Sequence, residues 1–392
     1  MSSPTLVVAD YPIGYPSGFG ETLYNLFSGF PDNKLWTAHP AHLSPAVDKE
    51  RGVSVKLESP RRPRFIPQRI SLAYYPLLKA HQFLANRQSL RTLTDVVNQN
   101  SIKNLLVIPV TPWILSAAVN LHRRNPSLNL VLFVMDDWQG HHECHKLPYS
   151  RRRRLLLAEA IGRANVRFAV SREMAAHYQE VYGETWQVAH NGIRELSPAQ
   201  NGTTSRKFNR VLLTGDVNIF RFDAVVAFAN AIERYNRLHD ESIEFTILGE
   251  VADQYRSPLS ALECIKFSGR KPHSECLNDM IAADLLYLPL AFCKESNRIS
   301  RYSMPTKLPE YLATGKTVLF HAPAESAAFR VAERYSLTPR LATTNPQILD
   351  RFVNEWANDE SNGTEFSARA RAALLQEFDI KKLSKTFQAA FI

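Results

Sequence analysis

The side chains best placed to do chemistry are a lysine, an arginine and a few acids. In Ser303-Met-Pro-Thr-Lys-Leu-Pro-Glu-Tyr-Leu-Ala-Thr-Gly-Lys-Thr-Val-Leu-Phe320, Pro305 suits the first turn of a helix and Gly315 suits its end. The spacing predicts a helix over Pro305–Thr314 with Leu308, Tyr311 and Leu312 as its buried stripe. Ser303, Thr306, Lys307 and Glu310 then fall on or near the other face. A helix start that offers N–H groups, a hydroxyl and an ammonium suits a phosphate. Glu310, one turn on, is set to accept hydrogen bonds from a diol such as a ribose. Spacing alone fits a solvated surface helix equally well. In Gly215-Asp-Val-Asn-Ile-Phe-Arg221, Arg221 stands at the start of a second helix and offers another cation to the same anion. Asp136 and Asp137 follow an apolar run, and two adjacent acids there are costly unless exposed or used.

These residues need a frame, and the hydrophobic pattern supplies one. Apolar runs such as Leu106-Val107-Ile108 and Val131-Leu132-Phe133-Val134 read as parallel strands covered on both faces. In the first half, strands are expected at Leu6–Ala9, Leu35–Thr37, Leu105–Pro109, Leu130–Met135 and Arg167–Val170. In the second half they are expected at Val211–Thr214, Phe245–Leu248, Ile265–Ser268, Leu285–Leu288 and Thr317–Phe320. Helices such as Phe222–Leu238 and His273–Ala283 alternate with them. Regular βα alternation, run through twice, implies two α/β, Rossmann-like, doubly wound parallel sheets facing a cleft. The polar stretch Ser197–Ser205 reads as the linker. The expected division is residues 1–198, residues 206–370, and a C-terminal helical stretch, residues 371–392, that packs back on the first domain.

The chain has 392 residues, 45% of them apolar, so it can bury a real core and has the length of two domains. The start, Met1-Ser-Ser-Pro, runs straight into a short strand pattern and carries no secretory signature. No apolar run approaches the roughly 18 residues that span a bilayer. Cys144, Cys264, Cys276 and Cys293 are scattered without zinc or disulfide spacing and read as reduced thiols of a cytoplasmic protein. The net charge of +9 suggests an anionic partner. It is partly clustered, at Arg61, Arg62, Arg64 and Arg69, at Arg123 and Arg124, and at Arg151 to Arg154. No basic and aromatic interleaving of an RNA-binding sheet is present, and nucleic acid is not an expected partner.

The Ser303–Phe320 segment resembles the C-terminal signature of retaining glycosyltransferases of the GT-B fold, the family 4-like enzymes also called glycosyl transferases group 1. The resemblance extends in order over nearly the whole chain: Gly14-Tyr-Pro-Ser-Gly-Phe-Gly20, Val170-Ser-Arg-Glu-Met, Val188-Ala-His-Asn-Gly-Ile193, the Gly215 loop, Gly249-Glu250 and Gly269-Arg-Lys-Pro-His273. It implies an N-terminal acceptor-binding domain and a C-terminal domain for a nucleoside-diphosphate sugar. By resemblance, Lys307 and Arg221 face the donor diphosphate, with Asp136 and Asp137 beside the reacting sugar or acceptor. Gly18, Gly20, Gly215, Gly249, Gly269, Arg270, Ser303, Met304, Pro305, Thr306 and Glu310 line the donor. Tyr302 stands where many relatives carry a glutamate near the donor sugar, and Asp216 where they carry an arginine. The implied reaction moves a hexose to a hydroxyl of a glycan, lipid-linked or small-molecule acceptor with retained configuration, a diphosphate oxygen helping to take the proton. It needs no metal and no cofactor beyond the donor. With the basic clusters, it also implies contact with an anionic membrane surface at the inner, cytoplasmic face.

Competing readings are weaker. A nicotinamide dehydrogenase needs a third glycine and an acid ending the second strand; Gly18-Phe-Gly20 is followed by Leu23, and Leu35-Trp36-Thr37 offers no acid. His141-His-Glu-Cys-His145 lacks a second ligand pair at zinc spacing. A non-catalytic binding or scaffold protein on a degenerate GT-B fold is the main alternative, favoured by Tyr302 and Asp216. A phosphorylase or sugar-nucleotide epimerase on the same fold is a further one.

Overall fold

The structure, a computed structural model, describes residues 2–59, 75–140, 151–194, 209–240, 242–358 and 364–391. The chain forms two compact units. Unit 1 takes in the described residues up to Trp138, those of 151–191 and those from Lys381 onward; unit 2 takes in Gly192–Ile380 and the short segment after Trp138.

Unit 1 is built on a seven-stranded sheet: β1 (Thr5–Ala9), β2 (Leu35–Pro40), β3 (Val53–Leu57), β4 (Asn104–Ile108), β5 (Asn129–Val134), β6 (Val166–Ala169) and β7 (Gln187–Val188). Their order is β3-β2-β1-β4-β5-β6-β7, and every pairing is parallel. Strands β1 and β4 are buried at every position, which is why they read as unbroken apolar runs. The connecting helices begin on side-chain caps: Ser171 Oγ accepts from Met174 N, and Thr111 Oγ1 from Ile114 N with Pro112 behind it. The end of the chain belongs to this core. Phe387, on the Ile380–Gln388 helix, meets Phe27, Phe133 and Phe168 at centroid distances of 5.5, 5.7 and 5.0 Å. Ser384 Oγ donates to Leu26 O at 3.0 Å.

Unit 2 repeats the plan with β8 (Arg210–Thr214), β9 (Glu244–Leu248), β10 (Ile265–Phe267), β11 (Leu285–Pro289), β12 (Val318–His321) and β13 (Arg340–Leu341), ordered β10-β9-β8-β11-β12-β13. Again every pair is parallel. The Phe222–Leu238 helix lays Val225, Phe228, Ala229 and Ile232, all 0% exposed, on the sheet. Burying each large side chain of that stripe contributes about 2 kcal/mol. The doubly wound pair of sheets expected from βα alternation is therefore present. Strands β3, β7 and β13 are additions to the sequence reading. The linker at Ser197–Ser205, the basic stretch Arg61–Arg69 and the cluster His141–His145 lie outside the described residues. Among the described residues, no helix is long and apolar enough to cross a membrane.

One expectation needs correction. The helix expected over Pro305–Thr314 is shorter, Leu308–Ala313. Two prolines cause this. Pro305 and Pro309 have no N–H, and Leu308 N donates to Pro305 O at 3.0 Å in a turn rather than opening a helix. The helix start anticipated at Pro305 therefore lies at Leu308.

Candidate functional site

Open α/β sheets hold ligands where the strand order reverses, outside the carboxyl ends of the strands. In unit 2 that point lies between β8 and β11. Two loops are knit together there. Ala291 N donates to Phe220 O at 2.8 Å, Ser296 Oγ to Ile219 O at 3.1 Å, and Phe292 N and Cys293 N to Asp223 Oδ2 at 2.8 and 2.6 Å. The loop after β11 is thus fastened to the start of the Phe222–Leu238 helix, where Arg221 is the N-cap residue.

Tyr311 is the pivot of this site. Its hydroxyl, on a ring 1% exposed, accepts from Thr214 N at 2.7 Å and lies 3.1 Å from Thr214 Oγ1. This ties the Leu308–Ala313 helix to the last residue of β8. Burial raises the Tyr311 pKa, and the charges of Arg221 and Lys307 act on it in the opposite sense. Both cations therefore lie around one phenol. Arg221 Nη1 donates to Thr214 O and Asp216 O at 3.4 and 3.5 Å. Burial lowers the Arg221 pKa, yet guanidinium starts so high that it stays charged at neutral pH. Lys307 Nζ reaches Glu310 Oε2 at 2.8 Å. Burial pulls the ammonium down, but the Glu310 charge and hydrogen bond outweigh it, and the pKa ends above its ordinary value. The residues expected to hold phosphate and ribose, Lys307 and Glu310, are thus paired with each other. His273 Nε2 stands 3.9 Å from the same Glu310 oxygen.

Glycines shape the floor. A Cβ on Gly215 would meet Arg221 Nη1 at 2.9 Å, and one on Gly249 would meet Gly215 C and O at 2.5 Å. The loops after β8 and β9 touch backbone to backbone because both residues lack side chains. Gly269, with φ +64°, has open space where its Cβ would be. Arg270 Nη2 binds Asp216 Oδ2 at 2.8 Å, and Arg270 Nε lies 3.5 Å from Glu250 Oε1. Glu250 N donates to Asp216 Oδ1 at 3.0 Å. The acid at position 216 thus brings in a guanidinium from the loop after β10. Tyr302, 3% exposed, has the guanidinium carbons of Arg298 and Arg301 at 5.6 and 5.4 Å from its ring centroid. Met304 and Pro305 are buried beside it, while Ser303 and Thr306 are half-buried.

Comparison with known proteins bears on the frame. No family model and no curated protein matches the chain. Solved structures do. The N-terminal domain of Candida albicans trehalose-6-phosphate phosphatase superposes over 100% of this chain and 98% of its own, with a TM-score of 0.69 and 10% identity. A structure titled trehalose-6-phosphate from E. coli bound with UDP-2-fluoro glucose covers 99% and 98%, with a TM-score of 0.67 and 11% identity. A glycosyltransferase from Rickettsia africae covers 99% and 98%, with a TM-score of 0.66 and 10% identity. This is the GT-B fold.

In unit 1 of this GT-B chain, the expected residues fall at the carboxyl end of the sheet. Gly18 opens the Gly18–Leu26 helix behind the N-cap Ser17. Gly20 is explained by its own chain: a Cβ there would meet Tyr15 O at 2.3 Å. Asp136 is half-buried just beyond β5. Asp137 is 0% exposed and accepts from the Tyr178 hydroxyl at 3.2 Å. Contact with a reacting sugar was expected of both acids; Asp137 has no surface to make it, and its visible work is to hold Tyr178. Sequence reasoning passed over Asp10, whose buried carboxylate binds the chain at the end of β4. It also passed over the Arg298 and Arg301 pair. For Asp10 a signal was at hand, an acid directly after an apolar strand.

Proposed function

We propose that this chain is a retaining, metal-independent glycosyltransferase that moves a hexose from a nucleoside-diphosphate sugar to a hydroxyl of a glycan, lipid-linked or small-molecule acceptor. One observation carries the reading: Arg221 and Lys307, from segments 86 positions apart (307 − 221), gather around the Tyr311 hydroxyl at the switch point of unit 2. Two lasting cations at a strand-end crevice suit a diphosphate, whose charge grows as the sugar leaves. An ammonium has three N–H donors, so Lys307 can keep Glu310 and still bind phosphate oxygen. The loops of Gly215, Gly249 and Gly269 with Arg270 would take the nucleotide, Glu310 the ribose, and the stretch from Tyr302 to Thr306 the sugar side. Asp136 would serve the acceptor, with Asp137 acting through Tyr178. No cofactor beyond the donor is needed in this scheme. The E. coli structure bound with UDP-2-fluoro glucose shares this fold and supports the choice of donor class.

Calorimetric titration with nucleoside diphosphates, followed by a nucleotide-sugar panel, tests the proposal. Binding that is lost in Lys307→Ala is expected. Turnover of that variant should fall about 10²–10³-fold. A wild-type chain with no nucleotide affinity would favour a scaffold role. The cytoplasmic membrane-surface part of the reading rests on Arg151, Arg152 and Arg154, exposed at the start of the Arg151–Arg163 helix beside Leu155, itself 58% exposed. Flotation with anionic vesicles should recover the protein; equal recovery with neutral vesicles removes that part.

A further inference from the structure

The sheet of unit 2 has a second concave surface, along one face of β8, β9 and β10. A parallel sheet is ordinarily covered on both faces. One face of β9 obeys this: Phe245 and Ile247 are 0% exposed and share a core with Phe228. The alternate residues do not. Glu244 is exposed and Thr246 half-buried, and on β10 Lys266 is exposed. Side chains point to opposite faces in turn along a strand, so this second face is polar and open. The His273–Ala282 helix walls it on one side with Asp279 and Ala282. Between helix and sheet runs a groove of about 560 Å³, a volume typical of small-molecule sites. Arg221, Lys307 and Glu310 are not among the residues that line it.

The charges in this groove do not cancel. Arg210, Lys266 and Lys271 bring three cations to its lining, and Glu244 and Asp279 two acids. Each acid already has a lysine. Lys266 Nζ lies 3.5 Å from Glu244 Oε2, and Lys271 Nζ 2.7 Å from Asp279 Oδ2. Arg210 stands beside Glu244 in the register of β8 with β9. Glu244 turns instead to Lys266 and to the Thr246 hydroxyl, which donates to its Oε1 at 3.0 Å. Asp284 is taken by the backbone: its Oδ2 accepts from Asn209 N and Arg210 N at 3.0 and 2.9 Å. Among the described residues, no acid pairs with the Arg210 guanidinium. That planar fork of five donors matches the oxygens of a phosphate. Lys266 and Lys271 each keep N–H donors beyond the one given to an acid. The groove far exceeds what a bare phosphate fills, and Ser242, Thr246 and Ser268 add hydroxyls along it. Hydroxyls and carboxylates of this kind suit a ligand that is itself hydroxylated.

We propose that this groove is a second binding site of unit 2, separate from the donor crevice, for a small hydroxylated phosphomonoester such as a sugar phosphate. Arg210 takes the phosphate, helped by Lys266. Glu244 and Asp279 accept from the hydroxyls of the ligand while keeping their lysines, since a carboxylate has room for several donors. The proposal goes beyond the glycosyltransferase reading and does not depend on it.

Calorimetric titration of the full chain with hexose 6-phosphates, hexose 1-phosphates and glycerol 3-phosphate tests it, with inorganic phosphate and free glucose as controls. At least one ester should bind more tightly than either control. Its affinity should fall about tenfold in Arg210→Gln, at an exposed position where the melting temperature should not move. It should hold in Lys307→Ala, which removes a cation of the donor crevice. Lys266→Gln, also exposed, should weaken the same ester and gives a second reading if Arg210→Gln unfolds. Absent binding of every ester, or an Arg210→Gln chain that binds as wild type does, overturns the site. So does binding abolished in Lys307→Ala, which would put the ester in the donor crevice. Inorganic phosphate that binds as tightly as the best ester overturns the ester in favour of a bare anion. None of these results touches the glycosyltransferase reading, which falls only on absent nucleotide binding in the separate titration.

Discussion

The Tyr311 hydroxyl does a job that no phenylalanine could do. It takes the N–H of Thr214 at 2.7 Å, at a residue 3% exposed, where water cannot step in. In Tyr311→Phe that N–H loses its partner, which costs about 1–3 kcal/mol. Thermal unfolding should show the loss as a drop of several degrees. Turnover should fall too, because the same hydroxyl seats the helix that follows Lys307 against β8. A variant that melts as wild type does would show that the hydroxyl is not the tie. Arg221 and Lys307 act differently. Lys307→Met removes the ammonium proposed to hold the diphosphate, while Glu310 keeps His273 Nε2 at 3.9 Å, so nucleotide affinity should fall far more than stability. A variant lost equally in both would point to a structural ion pair.

At the scale of elements, the glycine loops separate two kinds of constraint. Gly249 has no room for a side chain, since its Cβ would press on Gly215 C and O at 2.5 Å. Gly269 has room but a left-handed φ of +64°. Gly269→Ala should therefore cost only about 1 kcal/mol. Gly249→Ala must push apart the loops after β8 and β9 and should lower both melting temperature and nucleotide affinity. Equal effects of the two substitutions would contradict the close approach. The same loops mark how much of the site was legible in sequence. Apolar runs gave β1, β4, β5, β8 and β11 within a residue or so, because strands buried on both faces leave no alternative pattern. Short strands such as β7, with two residues, leave too little pattern to read. The strand-end loops were legible as Gly-rich breaks. The pairing of Arg270 with Asp216, 54 positions away, and of Tyr311 with Thr214, 97 away, was not. Such contacts depend on which strands become neighbours, and local spacing carries no record of that. The start of the Leu308–Ala313 helix was misread because Pro305 suits a first turn, while a turn closed by Leu308 N on Pro305 O competes for the same residues.

For the whole molecule, each unit carries a fully buried histidine that couples its stability to pH. In unit 1, His39 is 0% exposed, with Nδ1 3.1 Å from Pro40 O and Nε2 2.9 Å from Ser54 Oγ. In unit 2, His321 is 0% exposed, with Nδ1 2.6 Å from the Tyr287 hydroxyl and Nε2 2.7 Å from Thr343 O. A backbone carbonyl can only accept, so each ring places a proton on the nitrogen that faces it, while the other nitrogen faces a hydroxyl able to donate or to accept. Burial pushes each pKa down to about 4. In the unfolded chain both return to their ordinary value of about 6.5. Between those values the unfolded state binds more protons than the folded one, so stability is full above pH ~6.5 and declines as pH falls toward ~4. The loss approaches roughly 3 kcal/mol for each of these two rings. Urea unfolding should therefore give constant midpoints from pH ~7 to 8 and a fall already evident at pH ~5.5, before most carboxylates titrate. Because the two histidines sit in different units, a probe of either unit should register the fall. Midpoints that hold steady down to pH ~4.5 would mean that the rings take up a second proton in the folded chain, with the hydroxyls of Ser54 and Tyr287 accepting from it.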